Sequence, residues 1–372
     1  MLEWARQRPH DGYVVGATLR LRGSLPSPHR LRALISTRLP GLPVLAEYLD
    51  GLPWQEAWRG FESFDAAAHV HVLTGTADPR RGAEIATNQP IKDDQPRWGL
   101  WLLDSERDGE YLLSYRVHHA AQDGAAVAHT IRKLLDTRAP APPAFVQPRE
   151  HAPRPWATAP SAREDRLLAT ADVPVDTMRA VVQASGASLN DIYLAALAGA
   201  LRAWLPPTER AQPVPVRVPF TVRLRHERQD RGNRMGHLRL TLPVDEKSAL
   251  RRLACVTEQT RSWPRDQIRR ILDRAPHPLL WQHIEPSLSP GDALASATML
   301  GLPTSLAFDG SPVIGGIALP PLAAGHVFSA VLFLYGTRAT VSFTARKERQ
   351  DVRALPSLWE HALGELAGAV RP

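Results

Sequence analysis

Hydrophobic and polar positions divide this chain into short extended and helical stretches. Tyr13–Arg22 and Gly109–Val117 have the β-branched and aromatic content of strands, and Leu31–Leu39 and Gly124–Leu135 read as helices. Further on, helical spacing covers Val175–Ser185 and Leu189–Leu205, with Ser188 placed as N-cap of the second. Strands are predicted at Val214–Leu224 and Leu238–Leu242, a helix over Asp245–Trp263, strands at Phe328–Tyr335 and Thr340–Ala345, and a closing helix over Leu355–Val370. This is an α/β chain of the mixed α+β kind in both halves, without the strict alternation of a doubly wound sheet and without solenoid repeats. Val313–Gly336 is apolar and of spanning length. Pro320, Pro321 and His326 interrupt it, however, and the Val/Phe alternation of its second half suits strands, so no transmembrane helix is predicted.

One segment breaks the pattern. Residues 139–162 read APAPPAFVQPREHAPRPWATAPSA, too rich in proline for a regular helix or central strand. With 372 residues the chain exceeds what one core usually organises. The expected organisation is therefore an N-terminal lobe over 1–138, a linker or crossover over 139–162 and a C-terminal lobe over 163–372, against the alternative of one domain with a long surface loop. Hydrophobic residues at 44% and charged residues at 22% exclude a mainly disordered chain. Cys255 is the only cysteine, which rules out an intrachain disulfide and a thiolate metal cluster and points to a cytoplasmic setting. The opening MLEWARQRPHDGY carries charge where a signal peptide needs an apolar run, so no export is inferred. The net charge of +7 comes mostly from arginine, since lysine stands only at 92, 133, 247 and 347. These arginines are scattered among acids rather than clustered with aromatics, which argues against nucleic acid. It fits a phosphate-bearing coenzyme A tail or an acidic carrier protein.

Candidate chemistry concentrates in Val117-His118-His119-Ala-Ala-Gln-Asp123-Gly124. The preceding residues alternate as a strand and Gly124 opens a helix, so His119 and Asp123 lie on a tight strand-to-helix connection. An imidazole there can take a proton at neutral pH, and an aspartate four residues on can fix local geometry by bonding backbone or an arginine. Any one of the chain's 14 histidines is more often a surface or packed side chain than a catalyst. A metal held by His118, His119 and Asp123 is disfavoured because adjacent strand residues point to opposite faces.

His118-His119-x-x-x-Asp123-Gly124 resembles the signature of the acyltransferase superfamily that contains chloramphenicol acetyltransferase, hydroxycinnamoyl transferases and peptide-synthetase condensation domains. More closely, the chain resembles bacterial wax ester synthase/diacylglycerol acyltransferase-like proteins. Pro90–Trp98 is similar to their segment ahead of the histidines, Ser188-Leu189-Asn190-Asp191 to their Asn-Asp block, and Pro219–Arg223 followed by Gly232-Asn233 to the next block. The resemblance implies two chloramphenicol-acetyltransferase-like lobes with a tunnel between them and the histidine at its centre. It makes His119 the general base, with His118, Asp123 and Gly124 completing the catalytic motif. Asp123 is structural and Arg223 its salt-bridge partner, and Asn190, Thr221 and Trp98 are further substrate-contacting or structural positions.

The implied reaction moves an acyl group from acyl-CoA or a phosphopantetheinyl carrier-protein thioester to a hydroxyl or amine of a small-molecule acceptor, with no bound cofactor. Cys255 lies in a helical stretch with no histidine near it in sequence, so a cysteine nucleophile is the weaker route. The family's late Ser-Asn-Val-Pro-Gly-Pro-like block has only Leu300–Ser305 as its nearest match, and the chain is shorter than typical wax ester synthases. A specialised-metabolite acceptor therefore fits better than a long lipid. The alternatives are a stand-alone condensation-type domain with a carrier-protein donor, and a catalytically silent recruitment domain of the same fold.

Overall fold

The computed structural model describes residues 13–50, 57–91, 96–136, 165–223, 232–263, 270, 293–322 and 325–370. The Pro-rich segment 139–162 lies outside the described residues. The first part of the chain forms β1 (Val14–Arg22), α1 (Pro28–Arg38), β2 (Glu47–Asp50), β3 (Ala57–Gly60), β4 (Val70–Ala77), α2 (Pro79–Thr87), β5 (Trp98–Ser105), β6 (Glu110–His118) and α3 (Gly124–Leu135). The second forms β7 (Arg166–Pro174), α4 (Val175–Ser185), α5 (Leu189–Trp204), β8 (Val214–Thr221), β9 (Met235–Leu242) and α6 (Ala249–Arg261). It continues through β10 (Ala295–Gly301), β11 (Ala307–Phe308), β12 (Ser311–Leu319), β13 (Phe328–Tyr335), β14 (Arg338–Arg346) and α7 (Leu355–Ala369).

Two six-stranded mixed sheets organise these elements, in the orders β11-β12-β1-β6-β5-β4 and β7-β14-β13-β10-β8-β9. In the first, only β4 and β5 run parallel; in the second, β10 runs parallel to both β8 and β13. β12 comes from the later half of the chain yet pairs onto β1, with β11 on its outer side, and Ser342 Oγ of β14 donates to Ala318 O of β12 at 2.8 Å. The two lobes are thus stitched through the backbone as well as packed.

Two strands are buried on both faces, β13, which the sequence predicts, and β5, which it does not. β13 is buried on both faces: Phe328, Ala330 and Leu332 enter the core under α5 and α7, while Val331, Phe333 and Tyr335 enter the core of the first lobe. β5 (WGLWLLDS) is almost wholly buried, so like β13 it shows an apolar run rather than alternation. Local chemistry sets several helix starts. Asp78 caps α2 by accepting from Arg80 N at 2.9 Å, with Pro79 at the first helical position. Ser188 and Asp191 form a reciprocal capping box on α5. The helix expected over Asp245–Trp263 starts later, at Ala249, where Ser248 accepts from Arg251 N at 3.4 Å.

Phe333 of β13 inserts against β12 at a glycine. A Cβ on Gly316 would lie 2.7 Å from Phe333 Cε1 and 3.1 Å from Leu19 Cδ2, whereas one on Gly315 would meet only Arg20 Nη1 at 3.8 Å. Overpacking of this kind costs about 1–3 kcal/mol. Gly316→Ala is expected to lower the urea-unfolding free energy by that amount, and Gly315→Ala to leave it unchanged within error.

Candidate active site

Hydrogen bonds from both neighbouring segments pin the end of β6. Val14 of β1 pairs with His118, whose N–H donates to Arg97 O at 2.8 Å, and His119 N–H donates to Tyr13 O at 2.8 Å. Successive residues at a strand end point to opposite faces, so the two imidazoles part company. His118 is half-buried and accepts from Ala120 N at 3.2 Å, turning inward on its own loop. His119 is buried under Tyr13, whose ring stacks on it at 4.9 Å between centroids and 20° between planes. Its Nδ1 faces Asn233 Nδ2 at 2.9 Å, so Nδ1 is the engaged nitrogen.

Asp123 is the N-cap of α3 and is fully enclosed. One oxygen accepts from Ala126 N at 3.0 Å; the other accepts from Arg223 Nε at 3.0 Å and from Arg234 N at 2.8 Å. Neither the Asp123 nor the Arg223 side chain is exposed at all. Arg223 also donates through Nη2 to Gly232 O, and its own N–H is accepted by Thr221 Oγ1 at 3.2 Å. Gly232 N–H returns to Ala121 O at 2.8 Å. The stretch 232–234 is thereby docked on the loop 119–123, and this docking delivers Asn233 to His119. Gly232 has φ +82, a conformation that suits glycine. Gln122 braces the loop from inside, accepting from Tyr115 Oη at 3.1 Å and donating to Thr130 Oγ1 at 3.0 Å.

Burial holds the His119 imidazole below the ordinary histidine pKa, opposed by a hydrogen bond to its own backbone carbonyl and by the Asp123 charge. The balance favours the neutral imidazole at pH 7. His118 is pushed down to about 3 by burial, by Arg97 and by His119. It stays a neutral imidazole under the same conditions.

The structure thus joins His119, Asp123, Gly124, Thr221 and Arg223 around one loop. Gly124 opens α3, and a Cβ there would meet only Leu300 Cδ1 at 4.0 Å, so the glycine leaves open space rather than satisfying a backbone demand. Trp98 stands elsewhere: its Nε1 donates to Leu45 O at 2.7 Å and its ring stacks on His69 at 4.2 Å, inside the first core. Asn190 lies in the first turn of α5, next to Asp191, whose carboxylate binds Ser188 N and Thr260 Oγ1. Residue-by-residue reading did not single out Tyr13, Gln122 or Asn233 as site residues. Only Asn233 carried a signal, the Gly-Asn pair following the Arg223 block.

The fold and this histidine loop define a class, two mixed sheets with a buried imidazole where the lobes meet. The chain belongs to the wax ester synthase/diacylglycerol acyltransferase catalytic domain family, whose model matches residues 10–242, more than half of its length. A putative diacylglycerol O-acyltransferase of Mycobacterium tuberculosis strain H37Rv is 24% identical over 135 residues, covering 34% of this chain and 28% of that protein. The match thus spans under a third of that relative's length. Among solved structures, a wax ester synthase/diacylglycerol acyltransferase from Marinobacter aquaeolei VT8 aligns with TM-score 0.65 at 17% identity, covering 96% of this chain and 95% of that one. A mutant starter condensation domain of rhizomide synthetase, solved with C8-CoA and Leu-SNAC, aligns with TM-score 0.65 at 16% identity, covering 99% and 92%. At these identities the shared property is the fold.

Removing one member of a buried ion pair costs about 3–5 kcal/mol because the other charge is left uncompensated. Asp123→Asn keeps a capping side chain but loses the charge, so it isolates the pairing with Arg223. It and Arg223→Ala should each lose that much stability in urea unfolding, and an unchanged midpoint in both would remove the pair from the account.

Proposed function

We propose that this protein transfers an acyl group from a phosphopantetheine thioester, on coenzyme A or a carrier protein, to a hydroxyl or amine of a small-molecule acceptor. The carrying observation is a buried His119 with its pKa lowered and its Nδ1 engaged by Asn233, held on the loop that Asp123 and Arg223 pin together. In this reading Nε2 takes the acceptor proton as the oxygen or nitrogen attacks the thioester carbonyl. The C–S bond then breaks, and the imidazolium returns the proton to the departing thiolate. No covalent acyl-enzyme is required. For Nε2 to be basic, Nδ1 must carry the hydrogen, which it shares with its own carbonyl; the Asn233 carboxamide serves once rotated to present Oδ1.

Charge building on the carbonyl oxygen needs a donor. The backbone N–H groups at the start of α3 and the Thr221 hydroxyl are the candidates in this reading. Bare Gly124 keeps the approach clear. A cavity of about 230 Å³ at the far end of β1 is lined by Arg20, Arg80, Arg107 and Arg338 together with Asp78 and Asp172, and its excess of arginine makes it a candidate place for the phosphates of the donor. Six residues of strand separate it from the His119 end, about 20 Å. The thioester and amino-acyl mimic bound by the rhizomide starter domain support a thioester donor, and the family name supports an ester product; a condensation-type reaction on a carrier-bound donor is the second reading. The intact His119 loop argues for catalysis over a silent recruitment role. A specialised-metabolite acceptor and a cytoplasmic setting complete the proposal.

A mass-spectrometric screen of acyl-coenzyme A and acyl-carrier donors against acceptors identifies the reaction. With that assay His119→Ala should lower kcat by about 10²–10⁴-fold while leaving folding and donor binding intact. Equal turnover by the variant would refute the mechanism. The active base is the unprotonated form, and a lowered pKa keeps it unprotonated further into acid. The acid limb of kcat/KM should accordingly fall below pH 6.5. Asn233→Asp places a carboxylate on Nδ1, stabilises the imidazolium and should move that limb upward; a limb that stays put would exclude Asn233 from tuning His119.

A further inference from the structure

The arginine-lined cavity at the far end of β1 has walls from both sheets. Arg20 of β1, Arg80 in the first turn of α2 and Arg107 in the turn between β5 and β6 stand on the side of the first sheet; Arg338, the first residue of β14, and Asp172 of β7 belong to the second. β12 also lines it, where its ladder with β1 is out of step. Arg20 pairs with Gly315 and Leu21 with Val313, which leaves Ile314 as the extra residue of a bulge beside Arg20.

The guanidinium groups here are poorly matched within the protein. Arg20 gives Nε and Nη2 to Glu110 at 3.0–3.2 Å, while its Nη1 lies toward Gly315, where a Cβ would stand 3.8 Å away. The other three are fixed through their backbones. Arg80 N–H donates to Asp78 Oδ1 at 2.9 Å, Arg107 N–H to Ser105 Oγ at 3.2 Å, and Arg338 pairs with Pro174 in the β7–β14 ladder. Among the described residues none of these three guanidinium groups has a hydrogen-bond or ion-pair partner. The two lining carboxylates are engaged otherwise: Asp78 caps α2 by accepting from Arg80 and Arg81 N–H, and Asp172 accepts from the Thr340 hydroxyl. Four guanidinium charges from four separate elements thus surround one space, and an anion there relieves their mutual repulsion.

We infer that this cavity is a site for a phosphate ester, whose phosphate oxygens accept from Arg80, Arg107, Arg338 and Arg20 Nη1 and so bridge the two sheets. A phosphate has three outer oxygens to share among forks on separate elements, where a carboxylate has two, and it carries close to two negative charges at neutral pH. A ligand that ties first-sheet arginines to β14 binds only the folded arrangement, so it also stabilises it. The inference goes beyond the acyl-transfer reading and rests on it for one of two sources of the phosphate, the donor itself; the other source is a free phosphate ester.

The test uses the full chain and does not depend on turnover. Adenosine 3′,5′-bisphosphate is titrated calorimetrically at constant ionic strength, with adenosine as the uncharged control, and thermal melts are recorded with and without it. Saturable binding and a raised melting midpoint are expected with the bisphosphate and neither with adenosine. Arg80→Gln and Arg338→Gln, one from each side of the cavity, should each weaken binding at least fivefold. Arg179→Gln, an exposed α4 position that removes the same charge elsewhere, should leave it unchanged. Where a Gln variant does not fold, Lys at the same position replaces it, and at least a threefold loss is expected because the charge stays and the fork goes. No saturable binding, equal binding of adenosine, or equal losses in Arg179→Gln and the two cavity variants overturns the site, and a loss confined to one side of the cavity overturns the bridge. A KM for acyl-coenzyme A that rises by the same factor in Arg338→Gln at unchanged kcat assigns the phosphate to the donor; an unchanged KM assigns it to a free ester. Bisphosphate binding without any thioester turnover would sink the transfer reading and leave the site standing, and turnover without bisphosphate binding would do the reverse.

Discussion

The buried ion pair between Asp123 and Arg223 is the constraint on which the site depends. Its members come from positions 100 residues apart, one capping the helix after β6 and the other just beyond the end of β8, and both side chains are fully enclosed. An isolated charge in such a place is strongly disfavoured, so the carboxylate gathers every donor in reach: the α3 backbone, the Arg223 fork and the Arg234 N–H. Each of those bonds fixes one wall of the His119 loop against the stretch 232–234. The imidazole is positioned as a consequence of a charge being satisfied.

That arrangement explains why two adjacent histidines have different fates. His119 is held between the Tyr13 ring and the Asn233 carboxamide, next to the one buried anion that favours its protonated form, while burial opposes it. His118 faces Arg97 and has no such anion, and it turns its Nδ1 onto the loop backbone. The same field logic extends to the second sheet. There burial first, and the Arg217 charge after it, hold His237 and His326 in the neutral form.

Much of this was legible in the sequence where a pattern is local. Gly124–Leu135, Val175–Ser185 and Phe328–Tyr335 appear with their predicted bounds, because helical spacing, the Gly186 stop and an apolar run are all short-range signals. His119, Asp123 and Arg223 were reached through motif resemblance, and the geometry brings them together. What the sequence hid is what depends on two faces or on distant pairing. β5 lost its alternation by being buried on both faces. β12 joined a sheet begun some 300 residues earlier, a pairing no periodicity encodes. Trp98 sat in a family-like segment but packs in the first core. Tyr13 offers no signal by spacing, since it becomes a neighbour of His119 only when β1 pairs with β6.

A double-mutant cycle between Asp123 and Arg223, read in both unfolding free energy and kcat, tests the central claim most directly. If one ion pair holds both the lobe junction and His119, Asp123→Ala with Arg223→Ala will lose no more than the worse single variant in either readout, giving a large coupling energy. Losses that simply add, in stability or in turnover, would show that the two residues act separately and that the account is wrong.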